Sequence, residues 1–298
     1  MHGDIITLSP GSFNGTKITK AVTIRGGGMV ADIVAGTMPT RILGNVSLQI
    51  DNNDGLNLKI EGICFSGNYF VYKHVVNPVF SKCIFNQIRT SSYGGYMENP
   101  VFNSCIINLF DGASGVSNAM FTNCIILETM IGSNRSLDYV SFELNNYMVD
   151  CGISQDVYYN CIVNLHPAYT QYKRMIVNSI IYSNDTAQST TAIVSNTIGI
   201  QDSINYFATP ISGNNINLNG FESIFNTFRG TYTDGETFEL TQQAASTYLG
   251  SDNTQVGVYG GSTPFNPKVT DMRILKVSPA YSSNANGQLP VNVQLRVQ

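Results

Sequence analysis

The chain has 298 residues, of which only 12% are charged, and its formal net charge is −4. Typical soluble domains contain roughly 25% charged residues, and the scarcity of Lys and Glu here favours short strands and turns over long solvent-exposed helices. No run of Lys or Arg is present, so the composition excludes a basic nucleic-acid-binding surface. No apolar run approaches the ~20 residues of a transmembrane helix.

The amino terminus shows strand and turn signals from its third residue onward. It reads GDIITLSPGSFNG at 3–15 and ITKAVTIRGGG at 18–28. No signal peptide precedes these strands, so the protein is either cytoplasmic or has lost its signal peptide. Because the opening begins in the middle of a motif, we favour the second alternative and expect a secreted or cell-surface protein.

One motif recurs along the middle of the chain: an aromatic or aliphatic residue, two small or polar residues, Cys, then two aliphatic residues. The copies are PVFSKCIF (78–85), PVFNSCII (100–107), AMFTNCII (119–126), DVYYNCIV (156–163) and RMIVNSII (174–181). The first position, called the aromatic slot, falls at Phe80, Phe102, Phe121, Tyr158 and Ile176. We interpret the step of 37 residues before Tyr158 as two units, with a further copy near 140–146. Ile60 and Ile200 extend the series at its two ends.

The repeat unit is therefore about 20 residues long, with Asn, Gly and Ser at its corners and no sustained helical spacing. Leucine-rich repeats have a similar period but need a Leu pattern that this chain lacks. These features predict an all-β parallel β-solenoid in which each unit is one coil and successive coils stack about 4.8 Å apart. Like residues then stack on like residues.

Cysteines occupy one slot of the repeat, which predicts their state. Stacked, buried and reduced thiols suit this placement better than a disulfide framework, and the absence of a Cys-x-x-Cys motif argues against zinc. The four residues concerned are Cys83, Cys105, Cys124 and Cys161. Asn123, Asn160 and Asn178 precede the cysteine slot, where Asn tolerates a left-handed corner.

An isoleucine column follows the cysteine slot. It consists of Ile84, Ile106, Ile125, Ile162 and Ile180. Either this column is the true interior face, or it is an exterior stripe that another segment covers. An uncovered stripe would form an aggregation or binding surface.

The pattern changes after Pro267. Residues 268–277 and 289–298 alternate apolar and polar side chains, which predicts a two-stranded ribbon packed on or capping the solenoid. The ribbon could cover the isoleucine column. We therefore divide the chain into a β-helix at 1–267 and a C-terminal ribbon at 268–298. The best short-helix candidate is 237–250.

The segment at 3–28 resembles the opening coils of the pectin-lyase-like right-handed parallel β-helix superfamily. The segment SDNTQVGVYGGSTPFNP at 251–267 resembles the closing segment of secreted β-helix proteins of gut Bacteroidetes. The resemblance implies a right-handed single-stranded parallel β-helix. Many members of that superfamily are polysaccharide lyases or glycoside hydrolases and many others have no known reaction, so the resemblance defines a fold and not an activity.

Catalytic motifs of that superfamily are absent. The Asn-Thr-Asp, Asp-Asp, His-Gly and Arg-x-Lys motifs of polygalacturonases and the Arg-x-Pro-x-x-Arg segment of pectate lyases do not occur. The densest acids are Asp138, Glu143, Asp150 and Asp156. We therefore expect a glycan-binding or structural protein without a metal or cofactor. The alternative is a lyase or hydrolase acting on an acidic polysaccharide, and calcium is expected only for a lyase.

Irregular segments at 86–99 and 164–175 carry the ligand-binding candidates. These candidates combine aromatic rings, which can stack on a sugar face, with basic groups, which can meet a uronate: Arg89, Tyr93, Tyr96, His166, Tyr169, Tyr172, Lys173 and Arg174. Further inserts lie at 108–118 and 182–196. If all of them leave from one corner of successive coils, they wall a single groove. The expected partner is a polysaccharide or cell-surface glycan, and the expected oligomeric state is a monomer.

Overall fold

A computed structural model describes residues 3–31, 36, 38–50, 58–90, 95–111, 115–127, 155–164, 173–182, 192–201, 215–233, 236–267, 273–279 and 291–296. For 155–156, 173–174, 192, 273–279 and 291–296, the description is limited to the backbone. This part of the chain is almost entirely β-structure.

The strands, in chain order, are β1 (Ile5–Thr7), β2 (Gly11–Asn14), β3 (Lys17–Ile18), β4 (Thr23–Arg25), β5 (Thr40–Leu43), β6 (Val46–Leu48), β7 (Lys59–Glu61), β8 (Ile63–Val71), β9 (His74–Val76), β10 (Val79–Ser81), β11 (Ile84–Thr90), β12 (Tyr96–Glu98), β13 (Val101–Asn103), β14 (Ile106–Ile107), β15 (Phe110–Asp111), β16 (Val116–Ser117), β17 (Met120–Thr122), β18 (Ile125–Ile126), β19 (Gln155–Tyr159), β20 (Ile162–Asn164), β21 (Lys173–Val177), β22 (Ile180–Tyr182), β23 (Ala192–Ser195), β24 (Ile198–Ile200), β25 (Ile216–Leu218), β26 (Arg273–Pro279) and β27 (Val291–Arg296).

Parallel sheets run along the length of the molecule, which confirms the predicted β-solenoid. Sheet A has nine strands in the order β1-β4-β7-β10-β13-β17-β19-β21-β23. Sheet B has thirteen, and its main path is β2-β5-β8-β11-β14-β18-β20-β22-β24-β25, with β3, β6 and β15 beside it. Sheet C is short and contains β9, β12 and β16. Strands β26 and β27 form a separate antiparallel ribbon, as the alternation after Pro267 predicts.

The aromatic slot forms a continuous stack inside the solenoid. The Cα partners along sheet A place Ile60 beside Phe80, Phe80 beside Phe102, and Phe102 beside Phe121. Ring centroids of successive members lie 4.9 Å apart for Phe80 and Phe102 and 5.0 Å apart for Phe102 and Phe121, and both pairs are parallel. Stacking of like on like, inferred from the repeat, is therefore confirmed at the side-chain level.

Two details of the predicted repeat are wrong. Phe121 pairs directly with Tyr158, and their rings stack at 4.9 Å. The step of 37 residues is thus one coil with a long insert, because residues can be added at a corner without disturbing the rungs on either side. The slot after Ile176 belongs to Val194, whereas Ile200 lies on β24 in sheet B. The segment at 140–146 lies outside the described residues.

The cysteine slot is a buried ladder of free thiols, as predicted. Each Sγ contacts the carbonyl of the residue two positions earlier and a carbonyl of the preceding coil, at 3.3–3.7 Å for all but one of these contacts. The exception is the 3.2 Å contact of Cys83 Sγ with Ser81 O. Cys105 N lies 3.5 Å from Cys124 Sγ, so these two residues occupy neighbouring rungs. Ser179 continues the ladder, since its Oγ accepts a hydrogen bond from Cys161 N at 3.0 Å.

The thiol ladder should be unreactive in the folded protein. Burial raises the pKa of the Cys105 and Cys161 thiols well above their usual range, and the thiolate is the reactive form. In a Cys64→Ser, Cys151→Ser double variant, we expect no thiol to react with a disulfide reagent at pH 8 until denaturant unfolds the chain. If the reagent releases its chromophore in proportion to the ladder thiols before the chain unfolds, the ladder is accessible and this prediction is wrong.

Left-handed residues turn the chain between sheets A and B. Asn123, Asn160 and Asn178 have φ values of 51–52°, which confirms the predicted asparagine corner. A second corner, before sheet A, is an exposed asparagine ladder in which Asn99 Nδ2 donates to Asn77 Oδ1 at 3.0 Å. Asn is well suited to both corners because its short amide tolerates positive φ and bonds locally.

The isoleucine column lies on the outside of sheet B and is covered, which decides between the two alternatives. It belongs to a second hydrophobic cluster, separate from the solenoid core. Residues 221–265, called the cover, supply the opposing side chains: Ile224, Phe225, Phe228, Phe238, Leu240, Ala244, Val256, Val258 and Phe265. The described cover thus precedes the 268–298 ribbon, which the sequence had suggested as one possible cover.

Hydrogen bonds fasten the cover to the asparagine corner. Asn123 Nδ2 donates to the carbonyls of Val258 and Gly260, both at 2.8 Å, and Gly257 N donates to Asn178 O at 2.8 Å. Gly257 has φ 81°, and a Cβ there would lie 3.0 Å from Ile180 Cδ1, so this close approach requires glycine.

The cover also contains the short helix predicted within 237–250. Helix α1 (Gln242–Thr247) begins after Thr241, whose Oγ1 accepts a hydrogen bond from Ala244 N at 3.1 Å. This N-cap satisfies one of the backbone donors that the first helical turn leaves unpaired.

No helix in the described ranges is long and apolar enough to cross a membrane.

Candidate functional site

Every insert singled out in the sequence follows a strand of sheet B. The chain leaves sheet B at the ends of β11, β15, β18, β20 and β22, and the segments that follow are 91–94, 112–114, 128–154, 165–172 and 183–191. We call the ends of these sheet B strands the insert corner. These strands lie on adjacent rungs, but β11 and β15 continue past the level at which β18, β20 and β22 end, so the inserts leave sheet B at two levels.

Part of the predicted loops is regular strand. In the segment 86–99, residues up to Thr90 belong to β11 and residues from Tyr96 to Glu98 belong to β12. Ile88 and Thr90 point into the core and Arg89 points out, so the alternation of a half-buried strand applies here. Within 108–118, β15 and β16 likewise extend the sheets.

Three outward residues form a column on consecutive rungs at the insert corner. Arg89 is the Cα partner of Phe70 on one side and of Asp111 on the other. We call Phe70, Arg89 and Asp111 the Arg89 column. Its neighbours in sequence point inward and are buried: Tyr69, Ile88 and Phe110. The core therefore fixes which side chains face outward.

Charge and aromatic surface meet in this column. Arg89 Nε lies 3.4 Å from Asp111 Oδ2, and the two side chains are 56% and 17% exposed. The rings of Phe70 and the exposed Tyr72 lie 5.8 Å apart. A mostly exposed guanidinium held by a less exposed carboxylate offers hydrogen-bond donors to a ligand in a fixed position.

Sheet C adds a second polar pair on the other side of the insert corner. His74 Nε2 lies 3.1 Å from Glu98 Oε2, and both side chains are partly exposed. Tyr96 is buried, with its ring centroid 5.0 Å from that of His74, and its hydroxyl donates to Ser117 Oγ at 2.5 Å. Tyr96 therefore packs within sheet C, and His74 and Glu98 are the groups that face solvent.

Of the predicted ligand contacts, Arg89 and Tyr96 lie at the insert corner. Lys173 and Arg174 are the first residues of β21 in sheet A, where their Cα partners on β19 are Gln155 and Asp156. Four further candidates lie outside the described residues: Tyr93, His166, Tyr169 and Tyr172. Three of the acids considered for catalysis, Asp138, Glu143 and Asp150, also lie outside them.

Sequence reasoning missed Asp111 and Phe70 as members of the same site. Asp111 follows Arg89 by 22 residues, the same interval that separates Phe80 from Phe102. The repeat interval was therefore sufficient to place Asp111 beside Arg89. Phe70 precedes Arg89 by 19 residues, one fewer than the 20 between Phe65 and Phe85, because a register irregularity separates Phe85 from Gln87 on β11.

The described part of the chain shows no group of three or more His, Cys, Asp or Glu side chains that could hold a metal ion. The described side chains of the Arg89 column supply hydrogen-bond donors, acceptors and aromatic faces. A comparison with known proteins finds no family model, no curated protein and no solved structure that matches the chain.

Proposed function

We propose that the protein is a secreted or cell-surface β-solenoid of the pectin-lyase-like kind that binds a glycan at the insert corner. The Arg89 column carries this proposal, since it places an aromatic ring, a guanidinium and a carboxylate on three consecutive rungs of one outer face. Neighbouring rungs lie about 4.8 Å apart. An extended ligand lying along the axis would meet each group in turn.

The composition of the column suits a hydroxyl-rich chain. The Arg89 and Asp111 pair offers donors and acceptors side by side, which matches neighbouring hydroxyls, and Tyr72 and Phe70 offer apolar faces. A parallel solenoid holds these groups rigidly, so little conformational freedom is lost when a ligand binds. Binding residues are commonly positioned by a rigid scaffold of this kind.

The pairing of the acids supports binding over catalysis. A glycoside hydrolase needs two carboxyl groups on opposite sides of the scissile bond, and a lyase needs a base directed at the substrate. The two acids described at the insert corner, Asp111 and Glu98, each contact a basic side chain. A binding site can use such acid–base pairs directly, because binding requires no proton transfer.

Replacing Arg89 with glutamine tests this proposal. We expect affinity for the bound polysaccharide to fall at least about tenfold, because the substitution removes the charged donor, and a hydrogen bond to a charged group contributes about 1.5–3 kcal/mol once the ligand excludes water from it. The measurement is binding to immobilised galactan, mannan and polygalacturonate, with scoring for unsaturated or shortened products. Arg25→Gln is the matched control, because Arg25 forms a similar pair with Glu61 on sheet A, at 3.9 Å.

Asp111→Asn identifies the ligand class. For polygalacturonate we expect tighter binding, since the variant removes a carboxylate that competes for Arg89; for a neutral chain we expect weaker binding. The proposal is wrong if none of the three polysaccharides binds, or if Arg89→Gln and Arg25→Gln bind equally well. Product formation that depends on Arg89 would instead establish an enzyme.

A further inference from the structure

The Arg89 column continues on two further rungs of the same outer face. Beyond Phe70, the successive Cα partners are Ser47 on β6 and Lys17 on β3. The complete row, called the extended column, spans five consecutive rungs of sheet B: Lys17, Ser47, Phe70, Arg89 and Asp111. The surface that carries the proposed site is therefore longer than its central ion pair.

The core fixes the outward orientation of the two added residues. Ile18 is buried directly after Lys17 on β3, and Val46 and Leu48 are buried on either side of Ser47. Lys17 is exposed and Ser47 is half-buried, as expected where alternate residues of a strand face opposite sides of a sheet. Both added side chains therefore lie on the outer face of sheet B.

The polar groups of the extended column are available to a ligand. In the described part of the chain, no acid pairs with the Lys17 ammonium group, and Ser47 Oγ has no hydrogen-bond partner. Arg89 contacts Asp111 through Nε, so its terminal amino groups keep their N–H donors. A ligand on this face thus meets donors that the protein leaves unused.

The charges of the extended column select an anionic ligand. Lys17 and Arg89 supply two positive charges and Asp111 one negative charge, so the row is net positive on a chain whose formal net charge is −4. A neutral hydroxyl would gain little from an ammonium group that water already solvates. An anion gains Coulomb attraction to both cations, and a local excess of positive charge also attracts polyanions from solution.

The spacing of the two cations sets the length of the ligand. Three rung steps separate Lys17 from Arg89. At about 4.8 Å per step this distance is about 14 Å. Phe70 and Tyr72 supply apolar faces within the span, and Ser47 supplies a hydroxyl. A single sugar cannot contact both cations, so the ligand is an extended chain with more than one anionic group.

We infer that the proposed site binds an anionic polysaccharide along the extended column, with Lys17 as its second charge contact. The inference rests on the proposed function and deepens it, because it names the class of ligand and a further contact of the same site. The anionic groups are carboxylates or sulfates, since either presents a negative charge to an ammonium group.

Replacing Lys17 with glutamine tests the inference. We measure binding of polygalacturonate, dextran sulfate and neutral galactan at about 50 mM and about 150 mM salt. Lys17→Gln should weaken binding of at least one polyanion about fivefold at the lower salt concentration, and less at the higher one, because salt screens exposed charges. The two polyanions distinguish carboxylate from sulfate. Lys59→Gln is the matched control, since Lys59 is also exposed but lies on sheet A.

Ser47→Lys tests the path of the ligand by a gain of affinity. The variant adds a cation on the rung between Lys17 and Phe70, so a polyanion lying along the extended column should bind about fivefold more tightly. Misfolding cannot produce such a gain. Ser81→Lys is the matched control, because Ser81 is also half-buried but lies on sheet A.

The outcomes separate this inference from the proposed function. If Arg89→Gln weakens binding while Lys17→Gln binds like the wild type, the proposed site stands and the inference is wrong. If no polysaccharide binds, or if neither variant weakens binding, both are wrong. The inference is also overturned if galactan binds as tightly as the polyanions, or if Ser47→Lys and Ser81→Lys bind equally well.

Discussion

Replacing Phe102 with alanine should lower the free energy of unfolding by about 3–5 kcal/mol. Phe102 is fully buried in the middle of the aromatic slot, with parallel rings 4.9 Å and 5.0 Å away at Phe80 and Phe121. The ring of Phe110 contacts its edge at 5.4 Å. Removal leaves a cavity that the flanking rungs cannot close, because backbone hydrogen bonds fix their spacing. Equilibrium unfolding in urea measures the loss.

Met120→Ala provides the matched control for this substitution. Met120 lies on β17, the next strand of sheet A, but its side chain is exposed. We expect its replacement to change stability by no more than about 0.5 kcal/mol. Equal losses in Phe102→Ala and Met120→Ala would contradict the assignment of inward and outward faces.

Asn123→Gly should destabilise the protein by about 1–3 kcal/mol and loosen the cover. Glycine keeps the left-handed backbone of this corner, so the substitution removes only the side-chain amide. The carbonyl of Val258 keeps its hydrogen bond from Phe265 N, whereas the carbonyl of Gly260 loses the Asn123 donor, and an unsatisfied buried acceptor costs about 1–3 kcal/mol. Hydrogen exchange of the cover amides, together with urea unfolding, measures both effects.

Asn99→Gly is the control for the asparagine corner. Asn99 has nearly the same φ, 50°, but its amide bonds lie in the exposed ladder with Asn77 and Asn118. Water can replace those bonds, so we expect a loss below about 1 kcal/mol and unchanged exchange in the cover. Faster exchange in the cover of both variants, to the same extent, would show that Asn123 does not anchor it.

The architecture could be predicted because stacking makes distant residues equivalent. Phe80, Phe102 and Phe121 share a slot in the sequence and a column in space, and the same is true of Cys105 and Cys124. A parallel register brings equal side chains together at each rung. Repetition in the sequence is therefore direct information about contacts.

The prediction failed where it assumed a constant coil length. Tyr158 follows Phe121 after 37 residues and still lies on the next rung, since an insert leaves and returns at a corner. Ile200 was misassigned for a related reason: it matches the slot in type, but Val194 occupies the slot. Residue type alone cannot identify a slot when corners vary in length.

The cover could not be predicted, because its side chains follow the surface they pack on. Phe225, Phe228 and Phe238 all contact the isoleucine column's cluster, yet their spacing has neither a helical nor a strand period. The column itself could be identified from the sequence, but whether it was the interior face or a covered exterior stripe stayed open. Which segment supplies that cover depends on tertiary packing.

Only part of the insert corner was accessible from sequence. Arg89 stood out because basic and aromatic residues cluster near it, whereas Asp111 is an isolated acid whose role depends on the register. The bonds from Asn123 to the carbonyls of Val258 and Gly260 join residues 135 and 137 positions apart, a distance over which no periodicity operates. Such contacts appear only when the coils and the cover are assembled.

The contact between Phe121 and Tyr158 tests the stacked register most directly. With ring-labelled Phe and Tyr, solution NMR should show strong through-space cross-peaks between these two rings, whose centroids lie 4.9 Å apart. Tyr158→Phe should shift the Phe121 resonances while leaving those of Phe65, several rungs away, unchanged. Absence of the Phe121–Tyr158 cross-peaks in the folded protein, or strong cross-peaks from Tyr158 to Phe65, would contradict the solenoid described above.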